Sequence, residues 1–214
     1  MSSVILRSAR EILRLDKDRG VVESPSGSVE LGHPVNVNQG DTVIYRGEPY
    51  VAIDEGHIFA AYARRRRTQI MQPWDSAFIL ELCNIGPGSR VLESGLGTGS
   101  LSRMILKRIG DNGKLTTVER NREIIDALGI IPIEDRRRWT ILEGEVESVL
   151  LEGSYDSVVL DVPEPWKAVK NVDQHIRPGG FFCSYVPTYN QLEKVYLELE
   201  VFSYEIIEAS RLVR

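Results

Sequence analysis

The chain has 214 residues, 42% of them hydrophobic and 27% charged, and a formal net charge of −5. That composition suits an ordinary soluble globular protein with a sizeable core, large enough for one full domain plus a small one. No apolar run approaches the ~18 to 20 residues of a membrane span, and the N-terminus is polar and charged where a signal peptide needs an apolar stretch, so a cytoplasmic protein without a membrane anchor is expected.

The first 70 residues read as a small β domain. Short β-branched or alternating runs at Gly20-Val-Val-Glu23, Ser28-Val-Glu-Leu31, Asp41-Thr-Val-Ile-Tyr45 and Pro49-Tyr-Val-Ala-Ile53 are separated by Ser24-Pro-Ser-Gly27, Asn38-Gln-Gly-Asp41 and Arg46-Gly47. Residues 1–80 hold ten basic and ten acidic side chains, so the net charge lies entirely in residues 81–214. The protein is therefore not a generic polyanion binder. Its one dense basic cluster is Arg64, Arg65, Arg66 and Arg67, which suits either a local nucleic-acid contact or a plain solvated face.

Residues 71–214 form the second expected domain. A helix starts at Pro73-Trp-Asp75, where Asp75 can act as the cap, carries Ala77, Phe78, Leu82 and Ile85 on one face, and is ended by Gly86-Pro-Gly88. Strands follow at about 89–94, 114–119, 139–143, 155–161, 179–186 and 201–208, with helices at about 99–109, 121–128, 164–176 and 188–200. This alternation predicts an α/β fold with a doubly wound, Rossmann-like sheet.

Chemistry concentrates where the first strand of that sheet ends, in Arg90-Val-Leu-Glu-Ser-Gly-Leu-Gly-Thr-Gly-Ser100. Gly95, Gly97 and Gly99 make a loop that can turn with positive φ and leave bare peptide N–H groups facing a ligand at a helix start. A dinucleotide fingerprint wants glycine or alanine at position 100, and this chain has Ser100. The spacing favours S-adenosylmethionine over NAD. Glu119 closes the next strand twenty residues after Gly99, where a carboxylate can accept from both ribose hydroxyls.

A second constellation is Tyr155-Asp-Ser-Val-Val-Leu-Asp-Val-Pro-Glu-Pro-Trp166, a buried strand that delivers Asp161 into a turn stiffened by Pro163 and Pro165. Asp161 there is either a site carboxylate at the ligand-binding edge of the sheet or the cap of the following helix. Cys83 and Cys183 stand in apolar contexts and read as small core residues; with three histidines and no C-x-x-C spacing, no metal site is expected.

These blocks resemble the tRNA (adenine-N1)-methyltransferases that modify the T-loop adenine at position 58 and, in archaea, its neighbour at 57. The resemblance covers most of the chain. It rests on Arg67-Thr-Gln-Ile-Met-Gln-Pro-Trp-Asp75, Glu93-Ser-Gly-Leu-Gly-Thr-Gly-Ser100, Asp161-Val-Pro-Glu-Pro-Trp166 and Tyr185-Val-Pro-Thr-Tyr-Asn-Gln191, in the family's order. It implies a class I methyltransferase domain behind a small β domain, S-adenosylmethionine as cofactor, tRNA as partner, and a homotetramer. It also implies that the cofactor is held by Gln69, by the loop residues Glu93, Ser94, Gly95, Leu96, Gly97, Thr98, Gly99, Ser100 and Leu101, and by Glu119, Arg120, Glu145 and Asp161. Glu145 would stand near the adenine, where the family usually has aspartate. Asp161 looks like the catalytic carboxylate, Tyr185 matches a tyrosine beside the target base, and Arg64 to Arg67 would meet tRNA phosphates. Trp166 and Tyr185 suit either base stacking or core packing. The family usually adds a further antiparallel strand after the sixth, which this sequence, reaching Arg214 there, is expected to lack.

Two competing readings are a protein-isoaspartate methyltransferase, which would not require Asp161-Val-Pro-Glu-Pro-Trp166, and an inactive tRNA-binding subunit. The second would be expected to have degraded Gly95, Gly97, Gly99 or Asp161, and all four are intact.

Overall fold

A computed structural model describes residues 3–54, 71–128 and 135–205. The chain divides into two compact units, Met1–Ile70 and Met71–Arg214.

The first unit is a six-stranded antiparallel sheet. Its strands β1 (Ser3–Arg7), β2 (Ile12–Asp16), β3 (Val21–Ser24), β4 (Gly27–Glu30), β5 (Thr42–Tyr45) and β6 (Glu48–Asp54) lie in the order β4-β3-β2-β1-β6-β5. Arg46 and Gly47, both with positive φ, form the two-residue hairpin between β5 and β6. The two innermost strands, β1 and β2, are absent from the sequence-based expectation. Their connection has no glycine or proline. It turns instead on the Ser8 hydroxyl, which accepts from the backbone N–H groups of Arg10 and Glu11, both at 3.2 Å. Leu6, Leu13, Leu15, Val22, Tyr50 and Ala52 form the core of this unit.

The second unit holds a five-stranded parallel sheet, β7 (Arg90–Ser94), β8 (Lys114–Glu119), β9 (Trp139–Glu143), β10 (Tyr155–Leu160) and β11 (Ile176–Ser184), in the order β11-β10-β7-β8-β9. Helices α1 (Pro73–Leu82), α2 (Ser100–Ile109), α3 (Arg122–Leu128), α4 (Val169–Asp173) and α5 (Tyr189–Val201) cover it. Val91 and Leu92 of the central strand β7 are fully enclosed, one in each of two cores: Val91 with Ile105, Ile109 and Leu115, and Leu92 with Val118, Val158 and Leu160. Burial on both faces is why the parallel strands read as continuous apolar runs.

Three local expectations are corrected. Helix α1 turns Asp75, Ser76, Ile79 and Leu80 inward and leaves Phe78 and Leu82 exposed with Ala77. The helix is apolar around most of its circumference, so spacing alone allowed two faces and packing chose one. Asp75 is not its cap, since Gln72 takes that position and Pro73 opens the first turn. The helix ends at Asn84, whose φ of 48° and bracketing hydrogen bonds Asn84 N–H to Glu81 and Ile85 N–H to Leu80 close it before Gly86 is reached.

Farther along, residues 164–176 form a 3₁₀ turn, Pro165–Ala168, leading into the short α4 rather than one long helix. The expected strand at 201–208 does not begin at 201: α5 runs through Val201 and residues 202–205 turn away, while 206–208 lie outside the described residues.

Among the described residues no helix is long and apolar enough to cross a membrane, and no group of three or more His, Cys, Asp or Glu is placed to hold a metal ion. Cys83 is buried and packs with Cys183; both are free thiols.

Ser8→Ala removes the acceptor that closes the β1–β2 turn. Two solvent-accessible N–H groups lose their partner, so the loss of stability is expected to be small, about 0.5–1 kcal/mol. Urea unfolding of the two proteins should show a lower midpoint for the variant, and coincident curves would rule the turn out as a stabilising element.

Candidate active site

The glycine loop leaves the end of β7 and wraps directly against the end of β10. Gly95 has φ +97°, and a Cβ placed on it would lie 2.1 Å from the Asp161 carbonyl oxygen, so only glycine fits. The Asp161 N–H in turn donates to the Ser94 carbonyl at 2.8 Å. The loop and the Asp161 turn are thus one backbone-to-backbone assembly. Gly99, with φ +71°, then opens α2 in the left-handed region, and no side chain caps the helix start. Leu96, Ser100 and Leu101 are buried beneath the loop, while Gly97 and Thr98 are half-buried.

Two carboxylates brace this assembly, and a third is carried by it. Glu93 is 1% exposed and lies under the loop. Its Oε2 accepts from Ser102 at 2.6 Å on α2 and from Thr117 at 2.8 Å on β8, and Thr117 accepts from the Trp139 indole at 2.9 Å on β9. One side chain therefore ties β7 to the elements on either side. Burial raises the Glu93 carboxyl to about 7; the two hydroxyls oppose that rise, and the nearby charges of Asp161 and Glu119 add to it.

Glu119, at the end of β8, accepts the Leu96 N–H at 3.1 Å on Oε2 and the Asn121 N–H at 2.9 Å on Oε1. Each oxygen keeps lone-pair capacity for a further donor. Arg120, the next residue, pairs with Glu145 at 3.3 Å beside the end of β9, with both side chains about half exposed. The third carboxylate, Asp161, reaches solvent, yet the surrounding protein partly desolvates its carboxyl and raises it to about 6.

Tyr185 follows β11. Its N–H donates to the Leu160 carbonyl at 2.9 Å, and its phenol donates to Asp75 Oδ2 at 3.0 Å. Trp166 packs in the cluster of Val169, Val195 and Leu199, with the Lys194 ammonium 4.6 Å from its ring centre.

The structure brings Glu93 through Leu101, Glu119, Arg120, Glu145, Asp161 and Tyr185 to one edge, the carboxyl ends of the parallel strands. Gln69 and Arg64 to Arg67 lie outside the described residues. Sequence reasoning missed two features. Thr188 caps α5 by accepting the Gln191 N–H, and Gln191 Nε2 donates to the Pro163 carbonyl at 2.9 Å. This latches the Asp161-Val-Pro-Glu-Pro-Trp166 loop to α5. A Thr-x-x-Gln capping box was the available signal. The other is Asp75, which is buried against Tyr185 instead of capping its helix.

Residues 60–212 match the family described as tRNA methyltransferase complex GCD14 subunit. The chain belongs to this family. It is 25% identical over 209 residues to the tRNA (adenine(58)-N(1))-methyltransferase TrmI of Thermus thermophilus, covering 94% of this chain and 80% of that one. The tRNA (adenine(57)-N(1)/adenine(58)-N(1))-methyltransferase TrmI of Methanocaldococcus jannaschii is 26% identical over 93% of this chain and 79% of its own. Among solved structures, an S-adenosylmethionine-dependent O-methyltransferase of Thermotoga maritima superposes with a TM-score of 0.72 at 21% identity, over 94% of this chain and 77% of that one. The tRNA (m1A58) methyltransferase TrmI of Aquifex aeolicus gives 0.68 at 20% identity, over 93% and 80%. The solved structures share its class I methyltransferase fold.

Glu93 makes stability depend on pH in a defined direction. Its folded-state value lies above the ordinary 4.5, so the native state holds the proton more tightly than the unfolded chain. The stability this confers is full below about 4.5 and is lost as pH rises through about 7. Glu93→Gln does not titrate, and relative to the parent it should gain on the order of 3 kcal/mol between pH 4 and pH 8. Melting curves of both proteins across that range provide the check; a difference in Tm that stays constant with pH would contradict it.

Proposed function

We propose that this protein transfers a methyl group from S-adenosylmethionine to N1 of adenine in the T-loop of tRNA, at position 58. The observation that carries the reading is the direct contact between the glycine loop and the Asp161 turn. It sets a nucleoside-holding loop and a carboxylate side by side at one sheet edge. Family membership and the TrmI relatives support the same activity.

The donor set suits the cofactor. The uncapped start of α2 offers bare N–H groups, and Glu119 offers acceptors for two ribose hydroxyls. Arg120 and Glu145 stand where the adenine would lie, Gln69 belongs with the methionine part by resemblance, and Glu93 braces the loop from beneath. When bound, S-adenosylmethionine supplies an electrophilic methyl group on a sulfonium.

Adenine N1 carries its own lone pair, so the protein needs no strong base. Its tasks are alignment and management of charge. Asp161 accepts a hydrogen bond from the exocyclic amine of the target base. That amine becomes more acidic as N1 is alkylated, so the bond strengthens as positive charge develops on the ring. Tyr185 stands beside the base once it has left its stack in the tRNA. The arginines 64 to 67 contact tRNA phosphates, and a cytoplasmic homotetramer completes the reading by resemblance.

Incubation of the purified protein with labelled S-adenosylmethionine and unmodified tRNA, followed by nucleoside analysis, should yield 1-methyladenosine, lost when adenine 58 is replaced. Persistence of product in that RNA would move the target to position 57. Label entering isoaspartyl peptide instead would favour the protein methyltransferase, and tRNA binding without transfer would indicate an inactive subunit.

Asp161→Asn keeps the size of the side chain and removes its charge. Single-turnover rates with saturating tRNA should fall on the order of 10²–10³-fold, with cofactor and tRNA affinities little changed. Because the ionised carboxylate is the working form and its value is raised to about 6, kcat/KM of the parent should fall tenfold per pH unit below that point. The variant should lack this limb. An acid limb that survives in Asp161→Asn would assign it to another group.

A further inference from the structure

A further carboxylate stands near the same edge of the sheet and has no part in the chemistry described above. Asp75, in the first turn of α1, is 2% exposed. Its Oδ2 accepts from the Tyr185 phenol at 3.0 Å, while its Oδ1 is fully buried and has no hydrogen-bond partner. An unmatched carboxylate oxygen in a dry position loses its hydration without compensation, and native structures keep such groups where a ligand, ion or water meets them. The need is for positive charge as well as a donor, because a buried anion is offset best by a cation that also hydrogen-bonds to it.

Strand order says which part of a ligand lies there. Glu119, the ribose acceptor, follows β8; the glycine loop follows β7; Asp161 follows β10; and Tyr185, which holds Asp75, follows β11. The Tyr185 backbone thus lies three strand spacings, roughly 14 Å, from the ribose side, and its side chain reaches from there to Asp75. A nucleoside whose ribose sits on Glu119 and whose tail crosses the glycine loop carries its amino-acid end in that direction. The base amine is already met by Asp161 and is neutral before transfer, so it cannot balance a buried anion. The α-ammonium of the methionyl tail is cationic and has three N–H donors.

We propose that Asp75 is a cofactor-facing carboxylate: Oδ2 orients Tyr185, and Oδ1 accepts an N–H of the α-ammonium of S-adenosylmethionine. The inference rests on the cofactor reading given under Proposed function. It assigns to one buried side chain the joint placement of the cofactor's tail and of the tyrosine beside the target base.

Calorimetric titration with S-adenosylmethionine and with its deaminated analogue, which keeps the sulfonium and the nucleoside, separates these roles. The parent should prefer the natural cofactor by at least tenfold. Asp75→Asn should lose at least tenfold in affinity for the natural cofactor and little for the analogue, so the preference collapses. Tyr185→Phe, which keeps the carboxylate, should retain it. Equal weakening of both ligands in Asp75→Asn would make the residue merely structural, and unchanged binding would remove it from the site; either outcome overturns the proposal. So does a parent that binds both ligands equally, a result that stands even if Asp75→Asn fails to fold. A parent that binds neither ligand would overturn the cofactor reading itself.

Discussion

The backbone contact between Gly95 and Asp161 is the constraint on which the rest of the site depends. A main-chain approach this close leaves no volume for a Cβ, and the Asp161 N–H to Ser94 carbonyl bond fixes its register. Parallel pairing of β7 with β10 brings Ser94 level with Leu160, so the two loops must leave the sheet at the same height. Ligands of open α/β sheets gather where such loops diverge. Here the divergence is held rigidly, because both loops are tied to their neighbours as well as to each other.

Those ties come mostly from side chains with no freedom to do otherwise. Glu93 is spent on internal hydroxyls of α2 and β8, and Glu119 holds the glycine loop through the Leu96 N–H. Gln191 reaches back from α5 to the Pro163 carbonyl, and Thr188 caps the helix that presents it. Prolines 163 and 165 limit the loop further by restricting φ. The outcome is a preorganised edge. That suits a transfer reaction in which alignment and charge placement do most of the work.

The same edge concentrates negative charge. Burial raises Glu93 and Asp161 above the ordinary carboxylate range, and the nearby charges of Asp161 and Glu119 raise Glu93 further. Asp75 adds a fourth acidic group from α1, held to β11 through Tyr185. Carboxylates crowded into partly dry surroundings favour a cationic ligand, since its charge offsets their mutual repulsion as well as their lost hydration. A sulfonium bearing an α-ammonium has that charge.

The sequence by itself determined the parallel sheet of the second unit, because strands buried on both faces appear as apolar runs and their ends are marked by glycine, proline and acidic residues. The glycine loop, Glu119 and the Asp161 turn were legible for the same reason, since each is a local signal read from adjacent residues. Strands β1 and β2 were not, because a serine hydroxyl closes their turn without the usual glycine or proline. Only the tertiary structure decided which face of α1 is buried. Its apolar residues encircle the helix, and packing against distant elements chose the face, burying Ile79 and Leu80 and setting Asp75 against Tyr185, 110 residues away. For the same reason a residue that looked like a helix cap became a buried carboxylate bonded to Tyr185. Spacing along a chain reports periodicity, whereas a hydrogen-bond partner supplied by a distant strand leaves no local trace.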